Sequence, residues 1–258
     1  GRDSEIGAQA AKKIRTRTMA ELTDANGLMR LMTADKDAEQ PMVKYIRFKN
    51  NLNLWYQEMK DAGLTESEVA TVEPYFKSSY GVPPSQEQMM KMLMDEGICH
   101  FTLKEANAAR KIVGKKQLKK IPELKEKVLA QAASPNLVKY IWKYGIGPQM
   151  GYAFSVIHAL AYSFIGYQTA YLSTKWNPIY WDAACLVVNS GSLEDEGKQE
   201  EEKKEVGTDY GKIAKALGEI IAAGIKISLV DINKSDYGFK PDVKNNQILF
   251  GMKALGYV

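Results

Sequence analysis

The chain has 258 residues, 45% of them hydrophobic, which is enough for a sizeable core in one large domain or two smaller ones. Lys and Arg number 35 against 31 Asp and Glu, so a net charge of +4 is too small to indicate a partner by itself. Two cysteines, two histidines and no run of eighteen apolar residues exclude a disulfide framework, a four-ligand zinc site and a membrane-spanning helix.

In chain order, apolar residues first recur at helical spacing at Leu22, Leu28, Leu31 and Met32. Asp35 and Asp37 then form a D-x-D pair, the pattern of a Mg²⁺ site, but they precede Pro41 in a polar stretch that reads as a surface loop. Helical spacing resumes at Tyr45, Ile46, Leu52, Trp55, Tyr56 and Met59, and again at Met89, Met90, Leu93 and Met94. Three capping boxes predict helix starts: Thr65 with Glu68, Ser85 with Gln88, and Thr102 with Glu105.

Six cations, Arg110, Lys111, Lys115, Lys116, Lys119 and Lys120, fall within eleven residues. On one helix Lys111, Lys115 and Lys119 stack at i, i+4 spacing, where like charges repel and a phosphate ligand relieves the repulsion. A solvated basic face and non-specific nucleic-acid contact are the other readings of the same residues. Gly145, Gly147 and Gly151 match neither the dinucleotide fingerprint nor a P-loop, and read as a turn.

Gly147 to Gln168 then sets His158 in the first turns of an apolar, aromatic helix. Such a histidine is either a core residue donating to a backbone carbonyl or a functional group. Ser85, His158 and an aspartate cannot be read as a hydrolytic triad, because no G-x-S-x-G elbow supports them.

From Ser192 to Gly207 the chain turns to Glu, Asp, Lys, Gln and Gly, which cannot contribute to a core. It divides the chain into a core over 1–191, an acidic linker or insertion over 192–207 and a small α/β element over 208–258. Within the last, Ile213–Ala223 reads as a helix ended by Gly224, and 225–230 and 247–250 read as strands. No internal repeat is present. The opening Gly-Arg-Asp-Ser-Glu, without methionine or signal pattern, suggests a piece of something longer.

Five blocks in this order resemble the fingers region of bacterial C-family replicative DNA polymerases, the DNA polymerase III alpha subunits. They are Pro41–Lys49; Tyr80-Gly81-Val82 with Gln86–Met90; Ala109–Lys116; Gly151–Phe154 through His158, Ala161, Tyr162 and Tyr167–Thr169; and Gly224–Ile227 with Asp231–Ser235 and Phe250–Leu255. The resemblance implies a mainly α, helical fingers domain with a small α/β C-terminal element leading to a helix-hairpin-helix region.

By the same resemblance, Arg110, Lys111, Lys115, Lys116 and His158 become candidate contacts to the triphosphate of an incoming dNTP, with Arg30, Ser155 and Tyr162 as additional ones. The implied partners are template-primer DNA, dNTP, and a sliding clamp with other replication proteins met through the parent enzyme, in the cytoplasm of a bacterium or a phage-infected host. The implied cofactor is Mg²⁺, held by palm aspartates that lie before the matched region, so the piece alone is expected to be inactive.

Three departures point to a divergent member, with phage-encoded relatives a natural guess. Ser155, Val156 and Ile157 stand where the family carries a lysine-containing run before its histidine, Arg30 lacks the proline and glycine that follow it in the family, and the acidic insertion is long. A stand-alone, non-catalytic helical module that binds nucleic acid or a partner is the competing reading.

Overall fold

The structure, a computed structural model, describes residues 5–31, 39–115, 117–152, 154–193 and 207–255. Asp35, Asp37, Lys116 and the acidic run from Glu194 to Val206 lie outside the described residues. Twelve α-helices and three short strands are present among those described, so the fold is mainly helical with a small sheet near the C-terminal end.

Local chemistry sets several of the boundaries. The S/T-x-x-E/Q sequences at Thr65, Ser85 and Thr102 form reciprocal capping boxes, starting α5 (Glu66–Phe76), α6 (Gln86–Met94) and α7 (Leu103–Gly114). In α6, Gln88 N donates to Ser85 Oγ at 3.2 Å and Ser85 N donates to Gln88 Oε1 at 3.2 Å. Each such cap satisfies donors that no helical carbonyl can reach, and is worth about 1 kcal/mol.

The chain forms two compact units, Gly1–Gly166 and Tyr167–Val258. In the first, α1 (Glu5–Ile14), α2 (Met19–Leu28) and α3 (Pro41–Asn50) enclose Ile14, Ala25, Leu28 and Tyr45. A larger core joins α4 (Asn53–Asp61), α5, α6, α7, α8 (Ile121–Ala130) and α9 (Pro135–Ile141) around Trp55, Phe76, Met89, Leu93, Val113, Val128 and Ile141. Within it the indole Nε1 of Trp55 donates to Tyr140 Oη at 3.0 Å, and that hydroxyl donates to Glu58 Oε1 at 3.0 Å. Both polar tips are thereby satisfied inside an apolar core.

After α9 the backbone continues as a π-helical turn over Trp142–Ile146 and a 3₁₀ turn over Gly147–Gln149, then enters α10 (Val156–Lys175). Gln149 is buried and ties this connection down, its Nε2 donating to Pro83 O at 3.2 Å and Gly145 O at 3.1 Å.

The second unit packs α11 (Pro178–Ser190) and α12 (Tyr210–Ala222) with a sheet of order β1-β3-β2. Its core is Ile179, Ala183, Leu186, Ile213, Ile220, Phe239 and Ile248. Strand β1 (Lys226–Ile227) runs parallel to β3 (Gln247–Leu249), and β2 (Lys240–Asp242) antiparallel to it with Pro241 opposite Ile248.

Three sequence expectations change here. Helix α12 begins three residues before Ile213, because the Asp209 carboxylate accepts from Lys212 N at 3.1 Å and caps it. The strand expected over 225–230 is only two residues long, and β2 has no counterpart in the sequence reading. Lys111, Lys115 and Lys119 do not share one helix: α7 ends at Gly114, Lys115 sits beyond it at the C-cap, and Lys119 belongs to a separate 3₁₀ turn over Leu118–Lys120.

Candidate nucleotide and nucleic-acid site

Helix α7 buries Ala106, Ala109 and Val113, one face of the helix, and this places Arg110 at its edge and Lys111 in solvent. Arg110 is held by neutral oxygens: Nε and Nη2 donate to Asn107 Oδ1 at 3.0 and 2.9 Å, and Nη1 donates to Gln86 Oε1 at 3.1 Å. No carboxylate pairs with it among the described residues, so the guanidinium is oriented without being neutralised. Lys111 and Lys115 are exposed and likewise have no acidic partner among the described residues.

The end of α7 is joined to the segment before α10, where Gly151 N donates to Val113 O at 2.9 Å. That segment then makes one parallel bridge, Phe154 with Ser85, and Gln86 N donates to Phe154 O at 2.8 Å. Gly27 on α2 permits this approach, since a Cβ there would stand 3.2 Å from Pro84 Cβ and 3.5 Å from Phe154 Cδ1.

Glu87 receives the start of α10. Ser155 Oγ donates to Glu87 Oε1 at 2.9 Å and Val156 N donates to Glu87 Oε2 at 2.9 Å. A carboxylate at this end also offsets the positive pole of the helix. About two turns on, Ser163 is buried and accepts from Asn26 Nδ2 at 2.8 Å, which pins α10 to α2.

His158 is exposed rather than a core residue, and no hydrogen bond reaches it among the described residues. Its ring lies between Phe154 (centroids 6.3 Å apart) and Tyr162 (6.2 Å, nearly parallel). Tyr162 is exposed as well, and the guanidinium of Arg30 sits 5.3 Å from the centroid of the Tyr152 ring, itself 5.9 Å from Phe154.

The fold therefore brings Arg30, Ser155, His158 and Tyr162 to the start of α10, and ties Arg110 to the same place through Gln86 and Glu87. Lys111 and Lys115 lie on and just past the same end of α7. Gln86 and Glu87 were missed as site residues, although their side-chain types already stood in the polymerase-like block. Among the described residues no group of three or more His, Cys, Asp or Glu could hold a metal ion. No helix among them is long and apolar enough to cross a membrane.

The mainly helical fold agrees with the fingers region that the sequence blocks resemble, and comparison with known sequences shows the family. Residues 3–136 match the bacterial DNA polymerase III alpha subunit finger domain. Over 256 residues the chain is 43% identical to the Probable DNA polymerase YorL of Bacillus subtilis strain 168, and equally to a DNA-directed DNA polymerase of Bacillus phage SPbeta. Both alignments cover 98% of this chain and 19% of the relative, so the chain spans about a fifth of the length of those proteins. The DNA polymerase III subunit alpha of Thermus aquaticus is 27% identical over 192 residues, covering 71% of this chain and 14% of that protein.

The chain belongs to the finger-domain family of bacterial DNA polymerase III alpha subunits, in a divergent, phage-linked branch. Arg30, Arg110, Lys111 and Lys115 fall inside the finger-domain match, whereas Ser155, His158 and Tyr162 fall beyond it, in the part shared with the two 43% identical relatives.

Proposed function

We propose that this chain is the fingers region of a longer DNA-directed DNA polymerase, gripping the triphosphate of an incoming dNTP and the template-primer DNA. Arg110, Lys111, Lys115, Lys116 and His158 contact the phosphates, with Arg30, Ser155 and Tyr162 at the edge of the site. Charge-assisted bonds to the β and γ phosphates hold the α phosphate in line with the primer hydroxyl. This is electrostatic positioning, in which the chain's own groups move no proton.

The observation that carries the reading is Arg110, a guanidinium oriented by two side-chain amides and flanked by Lys111 and Lys115, none of the three having a carboxylate partner among the described residues. Mg²⁺ is assigned to carboxylates elsewhere in the longer polypeptide. A sliding clamp and other replication proteins meet that polypeptide in the cytoplasm, and residues 192–207 are an acidic linker or insertion between α11 and α12.

Steady-state incorporation of one nucleotide by the complete polypeptide tests the assignment. Arg110→Ala and His158→Ala raise KM for dNTP or lower kcat, by roughly 10-fold to 100-fold for Arg110, the worth of one charged hydrogen bond. Affinity for primer-template changes less. Wild-type kinetics in both variants exclude the site, and primer extension by the 258 residues alone overturns the division of labour.

A further inference from the structure

Helix α6 opens with two adjacent side chains that face different elements. Gln86 Oε1 accepts from Arg110 on α7, while Glu87 accepts from both Ser155 Oγ and Val156 N at the head of α10. Gln86 Nε2 in turn donates to Glu87 Oε1 at 3.1 Å. Arg110, Gln86, Glu87 and Ser155 thus form one hydrogen-bonded chain across three elements, with links spanning 24 and 68 residues of sequence.

Among the described residues the protein partner of both the Val156 amide, a first-turn N–H of α10, and the Ser155 hydroxyl is Glu87. Two residues further on stands His158. A recognition group must be held within about 0.5 Å of its working position, and a first turn released to water does not meet that condition.

We propose that Glu87 is a positioning residue of the nucleotide site. It acts through Ser155 and Val156 to hold the start of α10, and with it His158, in register with Arg110, and it touches no substrate itself. Ser155 on this account serves by donating to Glu87 rather than to phosphate. The inference rests on the reading that this surface binds the triphosphate.

The test is single-nucleotide incorporation by the complete polypeptide carrying Glu87→Ala, Glu87→Gln, Arg110→Ala, His158→Ala or Glu87→Ala with His158→Ala. Glu87→Ala raises KM for dNTP roughly 10-fold or more while kcat stays within about 3-fold and primer-template affinity is unchanged. Glu87→Gln, which keeps one acceptor oxygen but presents an amide to the second donor, falls between wild type and Glu87→Ala. Independent effects multiply; positioning of His158 instead leaves the double variant close to His158→Ala alone.

A Glu87→Ala protein that melts earlier but keeps the wild-type KM reduces the residue to a helix cap and overturns the proposal, as does full multiplication in the double variant. Should Glu87→Ala fail to fold, Glu87→Gln decides by the same comparison of KM with melting temperature. Unchanged KM and kcat in both Arg110→Ala and His158→Ala instead bring down the triphosphate reading itself.

Discussion

Gly81 faces Trp55 so closely that a Cβ on the glycine would fall 2.5 Å from the indole Cδ1, with φ of the glycine at +74°. Trp55 is fully buried and its Nε1 is bonded to Tyr140, so the ring cannot move aside. Gly81→Ala combines a left-handed backbone with overpacking and lowers unfolding free energy by about 3 kcal/mol, read from urea denaturation of the 258-residue chain. A loss below the usual scatter of surface substitutions, about 0.5 kcal/mol, contradicts the close approach.

Tyr140→Phe removes the hydroxyl that joins Trp55 to Glu58. It leaves a buried indole N–H without its acceptor, which costs about 1–3 kcal/mol. A blue shift and sharpening of tryptophan emission, read beside the denaturation midpoint, is the expected sign that the indole has lost its hydrogen bond.

Asp24 carries a pH dependence. Burial pushes its carboxyl from 3.8 up to about 7, against the opposing hydrogen bond from Tyr45 Oη at 3.0 Å. The folded state then holds a proton that the unfolded chain has released, so stability falls as pH rises from about 4 to about 7 and the deficit persists above. Asp24→Asn keeps an acceptor for Tyr45 and sheds the charge. It stabilises the chain at pH 8 by of order 2 kcal/mol, with the gain vanishing toward pH 4. A gain equal at both pH values refutes the assignment.

Ser85→Ala strips the α6 cap next to the Phe154 bridge. The cost is about 1 kcal/mol in stability, and amide exchange quickens at Gln88, whose N–H loses its acceptor. Unchanged protection at Gln88 rules out the capping role.

If Lys111 and Lys115 meet phosphate, their joint change to Ala flattens the salt dependence of DNA binding. The slope of log K against log salt falls by about 1.4 to 1.8, two contacts at 0.7 to 0.9 each. Fluorescence anisotropy across a salt series measures it, and an unaltered slope removes both lysines from the interface.

What the sequence revealed was mostly local. Capping boxes at Thr65, Ser85 and Thr102 are written within four residues, and each formed a helix start. Gly114 was the overlooked local signal in the basic cluster, since it closes α7 and breaks the supposed row of lysines. Strand β2 was hidden because Lys240-Pro241-Asp242 has neither apolar alternation nor β-formers, and such a segment is tolerated only at a sheet edge. His158 was ambiguous because α10 is apolar nearly all round yet buries only Ala159 and Ser163. The Gln86–Arg110 and Glu87–Ser155 contacts join residues far apart in the chain, and no periodicity announces such pairs.

Gly151 N is bonded to Val113 O, so the last turn of α7 and the approach to α10 share a main-chain link as well as the side-chain one. Main-chain links are indifferent to side-chain identity. Substitution at Arg110, Lys111, Ser155 or His158 therefore leaves this fastening between α7 and the approach to α10 in place. A lineage in which Val156 and Ile157 stand beside the histidine can vary the chemistry of these side chains while their frame stays the same.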